Sequence, residues 1–136
     1  MKIINFFFYF TLFSLISCSE IKTNNPTEVY KYWSGTNPNS DVRLINGQYW
    51  QSSHFSKEYI MFLEFIPKKF WVNEFIKQNN LINDSIINDE FIESKPNWFK
   101  PSKGSKKYKI SSDFDQGSRY FKDLKTGICF FYEIQL

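Results

Sequence analysis

The sequence predicts an α+β fold: an antiparallel sheet with one main helix over about residues 67–80 packed on one face, and a C-terminal three-stranded meander. Three observations predict it. Residues 58–66 are apolar on both alternating faces, with Tyr59, Met61, Leu63 and Phe65 set against Ile60, Phe62, Glu64 and Ile66, the pattern of a central strand covered on both sides. Phe70, Trp71, Glu74, Phe75 and Gln78 then fall near helical spacing, with Lys68, Lys69, Asn73 and Lys77 on the other side. Last, three strand-like segments, 108–112, 118–122 and 127–134, follow one another with only turn residues between them.

Taken in order, residues 19–27 are polar and end near Asn24-Asn25-Pro26, which reads as a short tether. Thr27 suits the cap of a brief helix over 28–33, and the Gly, Asn and Pro of 34–40 mark a loop. Residues 42–45 form a short apolar strand that stops at Asn46-Gly47, a dipeptide suited to a tight hairpin turn, with 48–53 as its partner strand. Pro67 permits the start of the main helix, because the first turn leaves its amide position unpaired. Residues 81–95 lack a decisive period and accommodate a loop with a short helix about 89–92. Trp98-Phe99, boxed by Pro96 and Pro101, reads as a loop that buries one or both rings. Asp123 at a turn start and Gly127 at a position wanting positive φ predict a hairpin between the last two strands.

The N-terminus carries an address. Lys2 precedes an apolar stretch over 3–13 that is shorter than the ~20 residues a permanent spanning helix needs. Leu15-Ile16-Ser17-Cys18 follows, and it resembles the lipobox of bacterial lipoproteins: an aliphatic residue, a tolerant position, a small residue and cysteine. The resemblance covers residues 1–18 and implies cleavage between Ser17 and Cys18, with a diacylglyceryl group on the Cys18 thiol. It implies a chain exported and held on a membrane of the cell envelope. Ser19 stands where that class uses Asp for inner-membrane retention, which points to the outer membrane in a host that has one. The expected organisation is a signal peptide over 1–17, the lipidated cysteine and tether over 18–26, and one globular domain over 27–136.

Removing the first 17 of 136 residues leaves 119, and with Lys2 gone the 17 basic side chains fall to 16 against 14 acidic, a formal charge of +2. So small an excess gives no global attraction to nucleic acid. With Cys18 committed to lipid, Cys129 has no intramolecular partner, so a packed core must stabilise the exported domain.

Chemistry is sparse. His54 is the sole histidine; Ser52, Ser53 and Ser56 beside it do not make a nucleophile elbow, and it reads as a surface residue. Cys129 lies in an apolar strand without a nearby base to lower its pKa. Asp113 and Asp115 alternate like the start of a calcium loop, but the twelfth position of such a loop is Leu124, so solvated turn carboxylates fit better. No pattern calls for a metal or cofactor. Contrast appears only at 94–112, which lacks acidic residues while holding Lys95, Lys100, Lys103, Lys106, Lys107 and Lys109 with Trp98, Phe99 and Tyr108 among them. Trp98, Lys103, Lys106 and Lys107 are its candidate surface for an acidic protein partner, against the plainer reading of a lysine-rich loop kept soluble by its charge.

The expectation is therefore a non-catalytic, membrane-anchored envelope lipoprotein acting by protein contact, in the manner of an inhibitor, immunity protein or envelope accessory. Two other classes stay open. One is a glycan- or ligand-binding module that stacks its ligand on Trp33, Trp50 or Trp98; the other is an enzyme whose carboxylates, such as Asp113 and Asp115, converge in space.

Overall fold

A computed structural model describes residues 19–85 and 92–136. In chain order these form β1 (Ile21–Thr23), α1 (Pro26–Ser34), β2 (Val42–Gln51), β3 (Tyr59–Pro67), α2 (Lys69–Gln78), β4 (Leu81–Asn83), β5 (Lys106–Ile110), β6 (Arg119–Lys122) and β7 (Cys129–Gln135). All strands join one antiparallel sheet in the order β1-β2-β3-β7-β6-β5-β4. The α+β class holds, and the sheet is larger than a helix-backed meander. β5, β6 and β7 do lie side by side, but β7 also pairs with β3, Tyr59 opposite Gln135, which welds the C-terminal strands to the N-terminal ones.

Alternation along β3 explains why both faces are covered. Met61, Leu63 and Phe65 point into a core closed by both helices, with Val29, Tyr49, Val72, Tyr120, Cys129 and Phe131. Phe62 points the other way into a second core with Phe121, Phe130, Tyr132, Ile92 and Phe99, closed among the described residues by the loop around Trp98. Edge-to-face and tilted aromatic contacts bind the helix-covered core: Phe131 lies 4.8–4.9 Å, centroid to centroid, from Phe65, Phe75 and Tyr120.

Several local expectations are corrected. Asn46-Gly47 does not turn the chain; it lies inside β2, opposite Glu64 and Leu63, and the hairpin bend comes later, over 52–58. The pairing shifts register between Leu44 and Asn46, so Leu44 and Gly47 both lie on the helix-covered face. A Cβ on Gly47 would meet Pro26 Cα and Val29 Cγ2 at 2.9 Å, so this glycine admits the helix to the sheet. The cap of α1 is Asn25, whose side chain accepts from Thr27 N at 2.9 Å, with Pro26 rather than Thr27 opening the helix. Residues read as tether are in part strand: Ile21–Thr23 pair with Gln51, Trp50 and Tyr49, because β2 extends past the supposed turn and offers an edge.

The main helix is shorter than 67–80 and its buried stripe is rotated. Trp71, Val72, Phe75 and Ile76 pack inward, while Phe70, Glu74 and Gln78 are exposed. β4 pairs with β5, so Lys109 is not on an edge strand and its ammonium lies 3.3 Å from Asp84. Both true edges, β1 and β4, are three residues long, which limits sheet-to-sheet association. The helix expected about 89–92 lies almost wholly outside the described residues. Among the described residues no helix is long and apolar enough to cross a membrane.

Candidate functional site

The sheet has two chemically different ends. One holds the start of β1, the 52–58 loop, the 111–118 loop and the C-terminus, since Ile21 pairs with Gln51 and Tyr59 with Gln135, and Gln116 hydrogen-bonds Leu136. The other holds the 102–105 turn, the Asp123–Gly127 turn and the start of α2.

At this second end β5 and β6 set Lys106 directly opposite Lys122. Neither makes an ion pair among the described residues, and like charges directly opposite on a sheet oppose folding. Ser102 donates to Asp123 Oδ2 at 2.8 Å, bringing Lys103 to the turn that carries Lys125. Lys69 joins them across an open cleft of about 360 Å³ lined by Pro67, Val72, Lys122, Asp123, Leu124 and Gly127. Leu124, 58% exposed, stands at the tip of the turn. Among the described residues Asp41, Asp84 and Asp123 lie toward this end, and each is engaged, Asp84 with Lys109 at 3.3 Å. Asp41 pairs with Lys68 at 2.9 Å. Asp123 Oδ1 accepts Lys125 N and Thr126 N at 2.7 and 3.1 Å, and the Thr126 amide foremost, with Ser102 Oγ, holds the Asp123 carboxyl below its usual range.

Of the residues expected to form a partner surface, Lys103 and Lys106 belong to this end. Lys107 alternates to the opposite face of β5, opposite Phe121, and Trp98 is half-buried against Phe99 in the loop-covered core. The four do not share one surface. Lys122 and Lys125 replace the missing pair, and only the β5–β6 and β6–β7 pairings bring them close. Cys18 and Ser17 lie outside the described residues.

Of the tryptophans expected as stacking platforms, Trp33 and Trp98 pack against the two cores and Trp50 borders a cleft. Trp33 packs in the core against Phe75 and Phe131 at 5.7 and 5.8 Å. Trp50 is half-buried, donates from Nε1 to Glu20, and borders an open cleft of about 520 Å³ with Lys22, Thr23, Asn24, Gln48 and Tyr49. Asp115 accepts Ser118 N and Gly117 N at 3.1 and 3.3 Å and faces Arg119 at 3.6 Å, so its oxygens organise the 111–118 loop. Asp113 is exposed in a neighbouring cleft of about 530 Å³. His54, exposed as expected, sits 3.2 Å from Glu58 and foremost lowers the pKa of that carboxyl. Burial pushes the Cys129 thiol up to about 12, so the thiolate that would react is scarce. No group of three or more His, Cys, Asp or Glu residues among the described residues is placed to hold a metal ion.

One polar cluster was not foreseen. Glu133 accepts the hydroxyls of Tyr59 at 2.9 Å and Tyr120 at 2.6 Å beside an open cleft of about 390 Å³. Burial, and then the carboxylate charge, raise both phenol pKa values, so the tyrosines stay neutral donors. The three residues are separated by up to 74 positions, beyond the reach of any local pattern. No family model matches the chain, and no curated protein and no solved structure matches it.

Proposed function

We propose that the protein is a membrane-anchored lipoprotein of a bacterial envelope, held to the bilayer through Cys18, whose small non-catalytic domain recognises an acidic protein surface with its lysine-rich end. The observation that carries this reading is the pairing of Lys106 opposite Lys122, with Lys103, Lys125 and Lys69 around the exposed Leu124. Folding gains nothing from that concentration of charge, whereas an anionic partner does: the field speeds encounter, and an apolar residue at its centre provides contact area. Cys18 comes three residues before Ile21 in the sequence, and Ile21 is paired at the other end of the sheet, so anchoring through Cys18 would leave the lysine end free to meet a partner.

Two measurements test the two halves. Cys18→Ala should prevent maturation and lipid attachment, read by fractionation and intact mass; a variant still processed and acylated refutes the anchor. A photocrosslinking residue placed at Leu124 in cells should form a discrete adduct that weakens as salt rises in permeabilised cells. Changing Lys103, Lys106, Lys122 and Lys125 together to Ser should abolish the adduct while the melting temperature is maintained or rises. An adduct unchanged in that variant, or none with the native lysines, refutes the partner surface.

A further inference from the structure

The end of the sheet at which β1 begins carries the two most exposed large apolar side chains among the described residues, Phe55 at 104% and Phe114 at 93%. Each stands on a hairpin loop, 52–58 between β2 and β3 and 111–118 between β5 and β6. Three strand spacings separate the middles of these two pairs in the sheet order, about 14 Å at the usual ~4.8 Å per strand. Both loops are anchored at their bases. Ser52 N donates to Glu58 O at 3.0 Å, and Asp115 ties down Gly117 and Ser118. Loops that project single phenylalanines into water bury no core with them and incur the full cost of apolar hydration.

We propose that Phe55 and Phe114 insert into the lipid bilayer to which Cys18 is attached, fixing the domain upright with its lysine-rich end away from the membrane. The inference rests on the reading that Cys18 carries lipid. From Cys18 to Ile21 the chain spans at most about 11 Å, since an extended residue advances no more than ~3.6 Å. Ile21 is paired at the same end as both loops, so a lipid on Cys18 brings this end, and no other, to the surface. The residues beside the phenylalanines suit a headgroup layer: Ser53, His54 and Ser56 flank one ring, and Ser111, Ser112 and Gln116 lie near the other. Asp113 is exposed beside Phe114, which holds that ring at the boundary between headgroups and acyl chains. Lys57, at the base of the first loop, lies 5.4 Å from the Tyr59 ring, donates to the Tyr32 carbonyl at 3.4 Å and places a cation at this end of the sheet. Acyl chains on Cys18 hold the protein, and the two rings, well apart along the sheet, resist its tilting.

The test uses the full, acylated chain reconstituted in phosphatidylethanolamine and phosphatidylglycerol vesicles, with intact mass establishing lipid on Cys18 first. Because Cys129 is buried, a thiol introduced by Ser53→Cys, Ser111→Cys or Leu124→Cys takes an environment-sensitive fluorophore selectively. Labels at 53 and 111 should shift to the blue, be quenched by nitroxides on the acyl chains and be shielded from aqueous iodide; the label at 124 should do the reverse. Adding Phe55→Ser and Phe114→Ser should reverse the shift and reduce lipid quenching at 53 and 111, with the protein still anchored. Labels at 53 and 111 that ignore lipid nitroxides overturn the inference, as do labels unmoved by the loss of the phenylalanines. Shielding from iodide without lipid quenching also overturns it, because a second copy or another protein then covers the loops. A chain without lipid on Cys18 fails at the mass measurement and overturns the anchor reading instead.

Discussion

Gly47→Ala tests how α1 rests on the sheet. The added Cβ would lie 2.9 Å from Pro26 Cα and Val29 Cγ2 and 3.1 Å from Val29 Cβ, closer than carbon atoms tolerate, and one of these neighbours is backbone. Overpacking of this kind costs about 1–3 kcal/mol. The alanine also narrows the unfolded ensemble, which offsets about 0.4–1 kcal/mol, so a net loss of roughly 1–2 kcal/mol is expected. Urea denaturation of the chain from Ser19 onward, followed by tryptophan fluorescence, measures it. Val29 is fully buried, and Val29→Ala alone removes two methyl groups and should cost about 2 kcal/mol. In the double variant the new methyl enters the space vacated by Val29, so the combined loss should fall short of the sum by about 1 kcal/mol. Rescue stays partial because the Pro26 contact persists. If Asn46-Gly47 were a surface turn, alanine there would act independently of Val29. A wild-type urea midpoint for Gly47→Ala, or strict additivity in the cycle, refutes the packing described.

Gly127 has φ 75°, and a side-chain carbon added there would meet nothing within 4 Å, so Gly127→Val carries backbone strain alone and should lower stability by about 1–2 kcal/mol, with Gly127→Asn costing less. Coincident urea midpoints for wild type and the valine variant would remove the turn from the account. Asp123 has a folded pKa held below its unfolded value, so its contribution is present above the ordinary aspartate range and is lost as pH falls through the folded value. Asp123→Ala should therefore lower the urea midpoint at pH 7, and its gap from wild type should narrow below about pH 4. A gap independent of pH refutes the carboxylate's role.

Local chemistry reached some features from the sequence alone. Alternation along 58–66 requires a strand with two dry faces, and the structure supplies a different cover for each. Prolines around Trp98-Phe99 exclude regular structure, and ring burial follows, with Phe99 1% exposed and Trp98 half-buried. Gly127 announces a left-handed turn because few other residues occupy that φ without strain. The helix over 69–78 is legible as a helix, though its inward stripe is not, because Phe70 and Trp71 are equally apolar and only the position of Phe131 beneath Trp71 and Phe75 distinguishes them.

Tertiary structure decided whatever depends on which strands meet. Asn46-Gly47 carries the same local signal in a turn as in a strand crossed by a helix, and the arrival of Pro26 and Val29 makes it the second. β1 and β4 are too short to carry a pattern and exist because β2 and β5 offer unpaired edges. The lysine end behaves likewise: 94–112 reads along the chain as a single basic surface, but alternation sends Lys106 and Lys107 to opposite faces, and the β5–β6 register brings Lys122 from another part of the chain. The placement of Phe55 and Phe114 at the end where β1 begins is a property of the strand order alone. Periodicity and turn chemistry are local and can be read along the chain, whereas register and strand order arise from burying apolar faces between segments tens of residues apart, which no local spacing encodes.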